Sequence, residues 1–78
     1  MREDSPRWEQ INPSGYQHER EGLHELAGYL PDSDPFRVWA NVDFVAADGS
    51  INEVDALVLT PSGLYVLELS LSFNRPAR

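Results

Sequence analysis

Two apolar segments joined by a short turn are the feature that most constrains the fold of this 78-residue chain. They span residues 54–60 and 64–71. Pro61 and Gly63 lie between them and supply the restricted and the permissive φ angles that a tight reversal requires. The pattern therefore predicts two antiparallel strands of a hairpin.

One acidic residue interrupts each apolar segment, Asp55 in the first and Glu68 in the second. Residues two apart on a strand share a face, so Glu68 lies on the same face as Leu64, Val66 and Ser70. An ionised carboxylate in such surroundings costs several kcal/mol unless it is paired or binds a metal. In an ordinary register Asp55 and Glu68 are close enough for one divalent cation, expected to be Mg²⁺, to bridge them. The alternative is a purely structural one, in which Arg37 or backbone donors satisfy both acids.

A helix is predicted upstream, with Ser14 as its cap, beginning at Gly15 or Tyr16 and ending at Tyr29 before Pro31. Its apolar stripe consists of Leu23, Leu26, Ala27 and Leu30. Stepping back four residues from Leu23 places Glu19 on the same stripe. Glu19 is thus a candidate site residue, and the alternative is a glutamate that pairs with Arg20 or Arg37 or is solvated.

Residues 36–45 alternate as a third strand, and Asp48-Gly49 predicts the turn that follows it. The fold class is therefore α+β, an N-terminal helix followed by a three-stranded antiparallel meander. Asp43 and Glu53 flank the turn and are interpreted as solvated charges, with Glu53 a secondary metal ligand at best. Residues 1–13 are expected to form an extended arm in which Trp8 covers a sheet edge or docks on a partner.

Composition narrows the class of protein further. The chain has no cysteine, which excludes disulfides and cysteine zinc sites and fits a cytoplasmic location. It has no apolar run near the roughly 20 residues of a membrane span, so no membrane partner is expected. Its net charge of −7 repels polyanions, so contact with nucleic acid is expected to require a metal or a larger protein.

Several short motifs together resemble the nuclease-related domain (NERD), a relative of the PD-(D/E)XK restriction-endonuclease-like fold. They are Ser5-Pro6-Arg7-Trp8, His18-Glu19-Arg20-Glu21, Leu30-Pro31-Asp32, Trp39-Ala40-Asn41, Asn52-Glu53-Val54-Asp55, Thr60-Pro61-Ser62-Gly63-Leu64 and Leu67-Glu68-Leu69. Their order and spacing are similar to the domain at the N-terminus of bacterial phage-defence serine/threonine kinases of the phage-growth-limitation type. By this resemblance, residues 14–71 are a truncated domain with an incomplete endonuclease-like core, and residues 72–78 are an irregular tail.

The resemblance also implies a site. Asp55 and Glu68 correspond to the metal ligands, Glu19 to a first-helix glutamate that leans toward the metal, and Ser70 to the position of the lysine in the Glu-x-Lys motif. Because the lysine is missing, we expect a catalytically inactive module that senses nucleic acid or regulates a larger defence protein, with other defence subunits as partners. The alternative is a Mg²⁺-dependent nuclease that hydrolyses phosphodiester bonds with Asp55 and Glu68 as ligands.

Overall fold

The computed structural model describes residues 1–69, which form a four-stranded mixed sheet with one helix on one face. The elements, in chain order, are β1 (Trp8–Gln10), α1 (Gln17–Tyr29), β2 (Arg37–Val45), β3 (Ile51–Thr60) and β4 (Gly63–Leu67). The strands lie in the order β1-β2-β3-β4. Strand β1 runs parallel to β2, and the other neighbouring pairs are antiparallel. The α+β class and the meander of β2, β3 and β4 are confirmed.

The prediction of three strands after an N-terminal helix was incomplete, because β1 precedes the helix and adds a parallel edge to the sheet. Trp8 pairs with Val38 and is only 6% exposed. A three-residue strand is too short to show an alternating pattern, so burial of the Trp8 ring, rather than periodicity, fixes this segment. Helix α1 then connects the two parallel strands, as such a crossover requires.

Helix α1 begins at Gln17 with Tyr16 as its N-cap, and no side chain caps it. The predicted Ser14 cap was wrong, because the Ser14 hydroxyl instead donates to Oδ1 of Asn41 at 2.8 Å. The predicted apolar stripe is confirmed, since Leu23 and Ala27 are buried in the core and Leu26 and Leu30 pack against it. Within residues 1–69, no helix combines the length and the apolar composition that a membrane span requires.

The core lies between α1 and one face of the sheet. Its buried members are Trp8, Leu23, Ala27, Val38, Ala40, Ala56 and Val58. Leu67 and Leu69 pack against this core, whereas Leu64 and Val66 on the other face of β4 are exposed. Tyr65, which alternation places with Leu67, is 49% exposed, so the predicted division of this strand into two faces holds only near its end. The described residues place no helix on that second face.

Candidate metal centre

The site lies where β2 and β3 depart from regular pairing. Ala40 pairs with Ala56 and Val42 with Val54, but Asn41 and Asp55 between them are not paired. Asn41 has a φ of 57°, a left-handed conformation that asparagine tolerates better than most residues. Asn41 and Asp55 are nevertheless both buried, at 0% and 7% exposure.

The irregularity places Asp55 on the helix side of the sheet. Ala56 belongs to the core against α1. The carboxylate of the preceding residue, Asp55, also lies beside Glu19 of α1, so two consecutive residues of β3 face the helix. Val54, although buried, is not part of that core. Strict alternation along the strand is thus broken at Asp55.

Three carboxylates come together at this point. One carboxylate oxygen each from Glu19, Glu53 and Asp55 lies within 4.8 Å of the other two. Glu19 comes from the first turn of α1 and is 9% exposed, while Glu53 is exposed at the rim. Two strand residues and one helix residue therefore converge from different parts of the chain.

Backbone N–H groups orient two of the three acids. The N–H of Gly15 donates to Oε1 of Glu19 at 3.2 Å. The N–H of Leu69 donates to Oδ2 of Asp55. Each bond uses one lone pair of a group that has about four, so both carboxylates keep acceptor capacity for a further partner.

The electrostatics of the cluster favour a bound proton or cation. Burial raises the pKa of Glu19, as do a hydrogen bond to Asp55 and the charge of Asp55, while the Gly15 N–H and the Asn41 amide oppose the rise. The pKa of Glu68 is also raised, first by desolvation and then by the charges of Asp55 and Glu53. A divalent cation would remove the part of these pKa shifts that comes from repulsion between the carboxylates.

The donor set fits a hard divalent cation. Mg²⁺ binds oxygen ligands at about 2.0–2.1 Å, so two of its ligand atoms are about 2.9 to 4.2 Å apart. The carboxylate oxygens lie within 4.8 Å of one another, an upper limit above that range, so the side chains would move closer together on binding one ion. Glu19, Glu53 and Asp55 could hold Mg²⁺ or Mn²⁺, with water completing the coordination.

The structure brings together some of the predicted site residues and not others. Glu19 and Asp55 meet, and both are buried as expected. Glu68 is exposed just beyond the end of β4, contrary to the expectation that it is buried. Desolvation and then the charges of Asp55 and Glu53 raise the pKa of Glu68, but its carboxylate is not one of the three in the cluster. Ser70 lies outside the described residues.

The alternative prediction was that Arg37 or backbone donors satisfy the acids, and only the backbone donors are observed among the described residues. Backbone N–H groups do contact Glu19 and Asp55, as described above. Arg37, however, takes part in none of the ion pairs within residues 1–69. The cluster therefore contains hydrogen-bond donors but no positive side chain from Arg37.

Two residues of the site were missed in the sequence. Glu53 was interpreted as a solvated charge and at best a secondary metal ligand, although its two-residue spacing from Asp55 places both on one face of a strand, a signal that could have identified it. Asn41 was predicted only as part of the alternating strand of residues 36–45. A polar residue with left-handed tolerance between two apolar strand residues is a weak signal of a local break.

Comparison with known proteins is consistent with this geometry. A family model described as nuclease-related domain matches residues 14–70, which include all three carboxylates. The chain is also 46% identical over 63 residues to a protein of Streptomyces coelicolor described as probable kinase PglW. That similarity covers 81% of this chain and 4% of the kinase. No solved structure matches. The chain belongs to the nuclease-related domain (NERD) family.

Proposed function

We propose that this chain is a metal-binding regulatory module of a larger phage-defence kinase, and that it contacts the phosphate backbone of nucleic acid without cleaving it. The observation that carries the proposal is the convergence of the Glu19, Glu53 and Asp55 carboxylates within 4.8 Å. The similarity to the probable kinase PglW, of which the chain spans 4%, supports the larger protein. The NERD match supports nucleic acid as the ligand class.

A bound metal ion would offset the repulsion between the negatively charged chain and phosphate. With a net charge of −7, the protein repels phosphate. A bound Mg²⁺ supplies positive charge to which a phosphate oxygen can bind. Glu19, Glu53 and Asp55 would hold the ion, and the N–H groups of Gly15 and Leu69 keep two of these carboxylates oriented.

The chain lacks a lysine that could offset the negative charge on a phosphate under attack, and this supports a role without cleavage. All six basic residues are arginines, so the chain contains no lysine. Ser70 stands where the Glu-x-Lys pattern has its lysine, and a neutral hydroxyl cannot offset the charge that develops on a phosphate under attack. The module is thus equipped to bind phosphate rather than to hydrolyse it.

The second candidate function is a Mg²⁺-dependent nuclease with Asp55 and Glu68 as ligands. One observation favours it: the pKa of Glu68 is raised first by desolvation and then by the charges of Asp55 and Glu53, so Glu68 lies within the field of the cluster. Binding of a metal could draw Glu68 toward Asp55, because the cation replaces this repulsion with attraction.

Metal binding is tested by thermal unfolding with and without Mg²⁺ or Mn²⁺. A ligand present at 100 times its Kd stabilises the folded state by about 2.7 kcal/mol, so the metal should raise Tm clearly. Asp55→Asn and Glu53→Gln should abolish the increase. Glu25→Gln, which removes an exposed acid elsewhere on α1, is the matched control and should retain it. An equal metal response in all four proteins would refute the proposed site.

Cleavage and binding are then separated with labelled DNA and RNA, single- and double-stranded. We expect Mg²⁺-dependent binding in fluorescence anisotropy and intact substrate on gels. Ser70→Lys should restore little cleavage. Metal-dependent cutting by the unmodified chain that is lost in Asp55→Ala would establish the nuclease instead. Absence of both binding and cutting would overturn the nucleic-acid role.

A further inference from the structure

Asn41 is completely buried at the centre of a polar network beside the carboxylates. Its Oδ1 accepts hydrogen bonds from Nε2 of Gln10 at 2.6 Å and from the hydroxyl of Ser14 at 2.8 Å. Its backbone carbonyl accepts a bond from Nδ2 of Asn12 at 2.8 Å. These contacts join the segment before α1 to β2.

The network fixes the orientation of the Asn41 amide. Nε2 of Gln10 also donates to the backbone carbonyl of Asn12, which can only accept, so the Asn41 atom that Nε2 contacts is the oxygen and the other is the nitrogen. The nitrogen, Nδ2, is buried and makes no hydrogen bond of ordinary geometry with the described residues. A buried donor without an acceptor is rare in native proteins and calls for an explanation.

The unpaired nitrogen lies near the acid cluster, because Ser14 contacts Asn41 and the next residue, Gly15, contacts Glu19. The Asn41 amide lies close enough to Glu19 to favour the ionised form of its carboxyl group. Glu19 already accepts the N–H of Gly15 through Oε1. A second donor on this carboxylate would fix its rotation as well as its position, which one hydrogen bond cannot do.

We propose that Asn41 is a positioning residue of the metal centre, whose Nδ2 donates to the Glu19 carboxylate and fixes the oxygen that faces Glu53 and Asp55. The inference rests on the proposed metal binding, and it assigns to Asn41 a role distinct from that of the ligands. Glu19 has lone pairs beyond the one that accepts the Gly15 N–H, and these supply the acceptor that the buried Nδ2 lacks. Asn41 thereby serves the site twice, since its left-handed backbone also lies opposite Asp55.

The test is the Mn²⁺ affinity of Asn41→Gly in the full 78-residue chain, measured by electron paramagnetic resonance. Glycine keeps access to a φ of 57° and removes only the side chain, so the strand irregularity is retained. Loss of a hydrogen bond to a metal ligand typically weakens binding by about ten- to a hundredfold, which is the expected rise in Kd. Asn12→Ala is the matched control, because it removes an amide of the same network that has no contact with Glu19, and its Kd should change less than about threefold.

A double-mutant cycle distinguishes positioning from general support of the fold. In a Glu19→Gln background, Asn41→Gly should have no further effect on the Mn²⁺ Kd, because the carboxylate through which Asn41 acts is gone. Effects that multiply independently, or a wild-type Kd in Asn41→Gly, would overturn the inference while leaving the metal site intact. Failure of the wild type to bind Mn²⁺ would overturn the proposed function and this inference together.

Discussion

Glu19 illustrates how one side chain can oppose folding and serve a site. Its pKa is raised above the ordinary value of 4.5, so the folded state binds its proton more tightly than the unfolded chain does. The associated stability is present below about pH 4.5 and is lost as the pH rises through the raised pKa. Glu68, whose pKa is also raised, acts in the same direction.

The first prediction at the residue scale concerns Glu19→Gln in the absence of metal. The amide cannot ionise, so the variant should be more stable than the wild type at pH 7 and should lose less stability between pH 4 and pH 7. Urea unfolding at a series of pH values measures both effects. Glu25→Gln, an exposed acid of the same helix, should follow the wild type. A wild-type pH profile in Glu19→Gln would contradict the assignment of Glu19 as a destabilised acid.

At this scale the sequence predicted those residues whose position follows from a regular period. Glu19 was found because it precedes Leu23 by one helical step, and its burial confirms the argument. Asp55 was found because it interrupts an apolar run, and it is also buried. The contact between them was implied only by the family resemblance, because regular alternation along the strand does not indicate that Asp55 lies beside the helix.

At the scale of elements, the break in β2 leads to a second prediction, about backbone conformation. For residues with a Cβ the left-handed region costs about 1–2 kcal/mol, and asparagine bears this cost better than alanine. Asn41→Ala should therefore be less stable than Asn41→Gly by about 1 kcal/mol in urea unfolding, although both lose the same hydrogen bonds.

The same pair of substitutions at Asn12 is the control. Asn12 is not among the described residues with a positive φ, so Asn12→Ala should be at least as stable as Asn12→Gly. If alanine and glycine were equivalent at Asn41, the left-handed conformation would not be required in solution.

A third prediction concerns β1, which is anchored mainly by one side chain. Trp8 packs in the core, and its removal by Trp8→Ala should cost about 3–5 kcal/mol. A domain of this size has little stability to spare, so the variant should lack a cooperative thermal transition in circular dichroism. Tyr29→Ala removes an aromatic ring that is 82% exposed and should melt like the wild type. Near-normal unfolding of Trp8→Ala would mean that β1 is peripheral to the fold.

Elements were predictable where many residues repeat a pattern. The helix end at Tyr29 and the strand end at Thr60 agree with the sequence, because Pro31 and Pro61 exclude continuation. The predicted helix start was wrong because the Ser14 hydroxyl donates to Asn41 instead of capping the helix. Such a tertiary contact cannot be predicted from the local sequence. Strand β1 was missed for the same reason, since pairing of Trp8 with Val38 depends on residues 30 positions away.

For the whole molecule, the sheet has one covered face and one that the described residues leave open. Helix α1 and the core lie on one side. On the other side, Leu64 and Val66 of β4 are 57% and 58% exposed. Strand β4 is also the last strand of the sheet, so its outer backbone groups have no strand partner among residues 1–69. Exposed apolar residues on an edge strand are a typical route to pairing between copies of a chain.

The last prediction follows from this face: the chain should self-associate as its concentration rises from micromolar to millimolar, despite its net charge of −7. Sedimentation velocity should show a sedimentation coefficient that increases with concentration. Leu64→Thr combined with Val66→Thr places β-branched residues, which suit a strand, at both positions and removes apolar surface, so this variant should remain monomeric. Tyr16→Thr combined with Tyr29→Thr removes more exposed apolar surface away from the sheet and should associate like the wild type. A wild type that sediments as a monomer over the whole concentration range would show that the exposed face of β4 does not cause self-association.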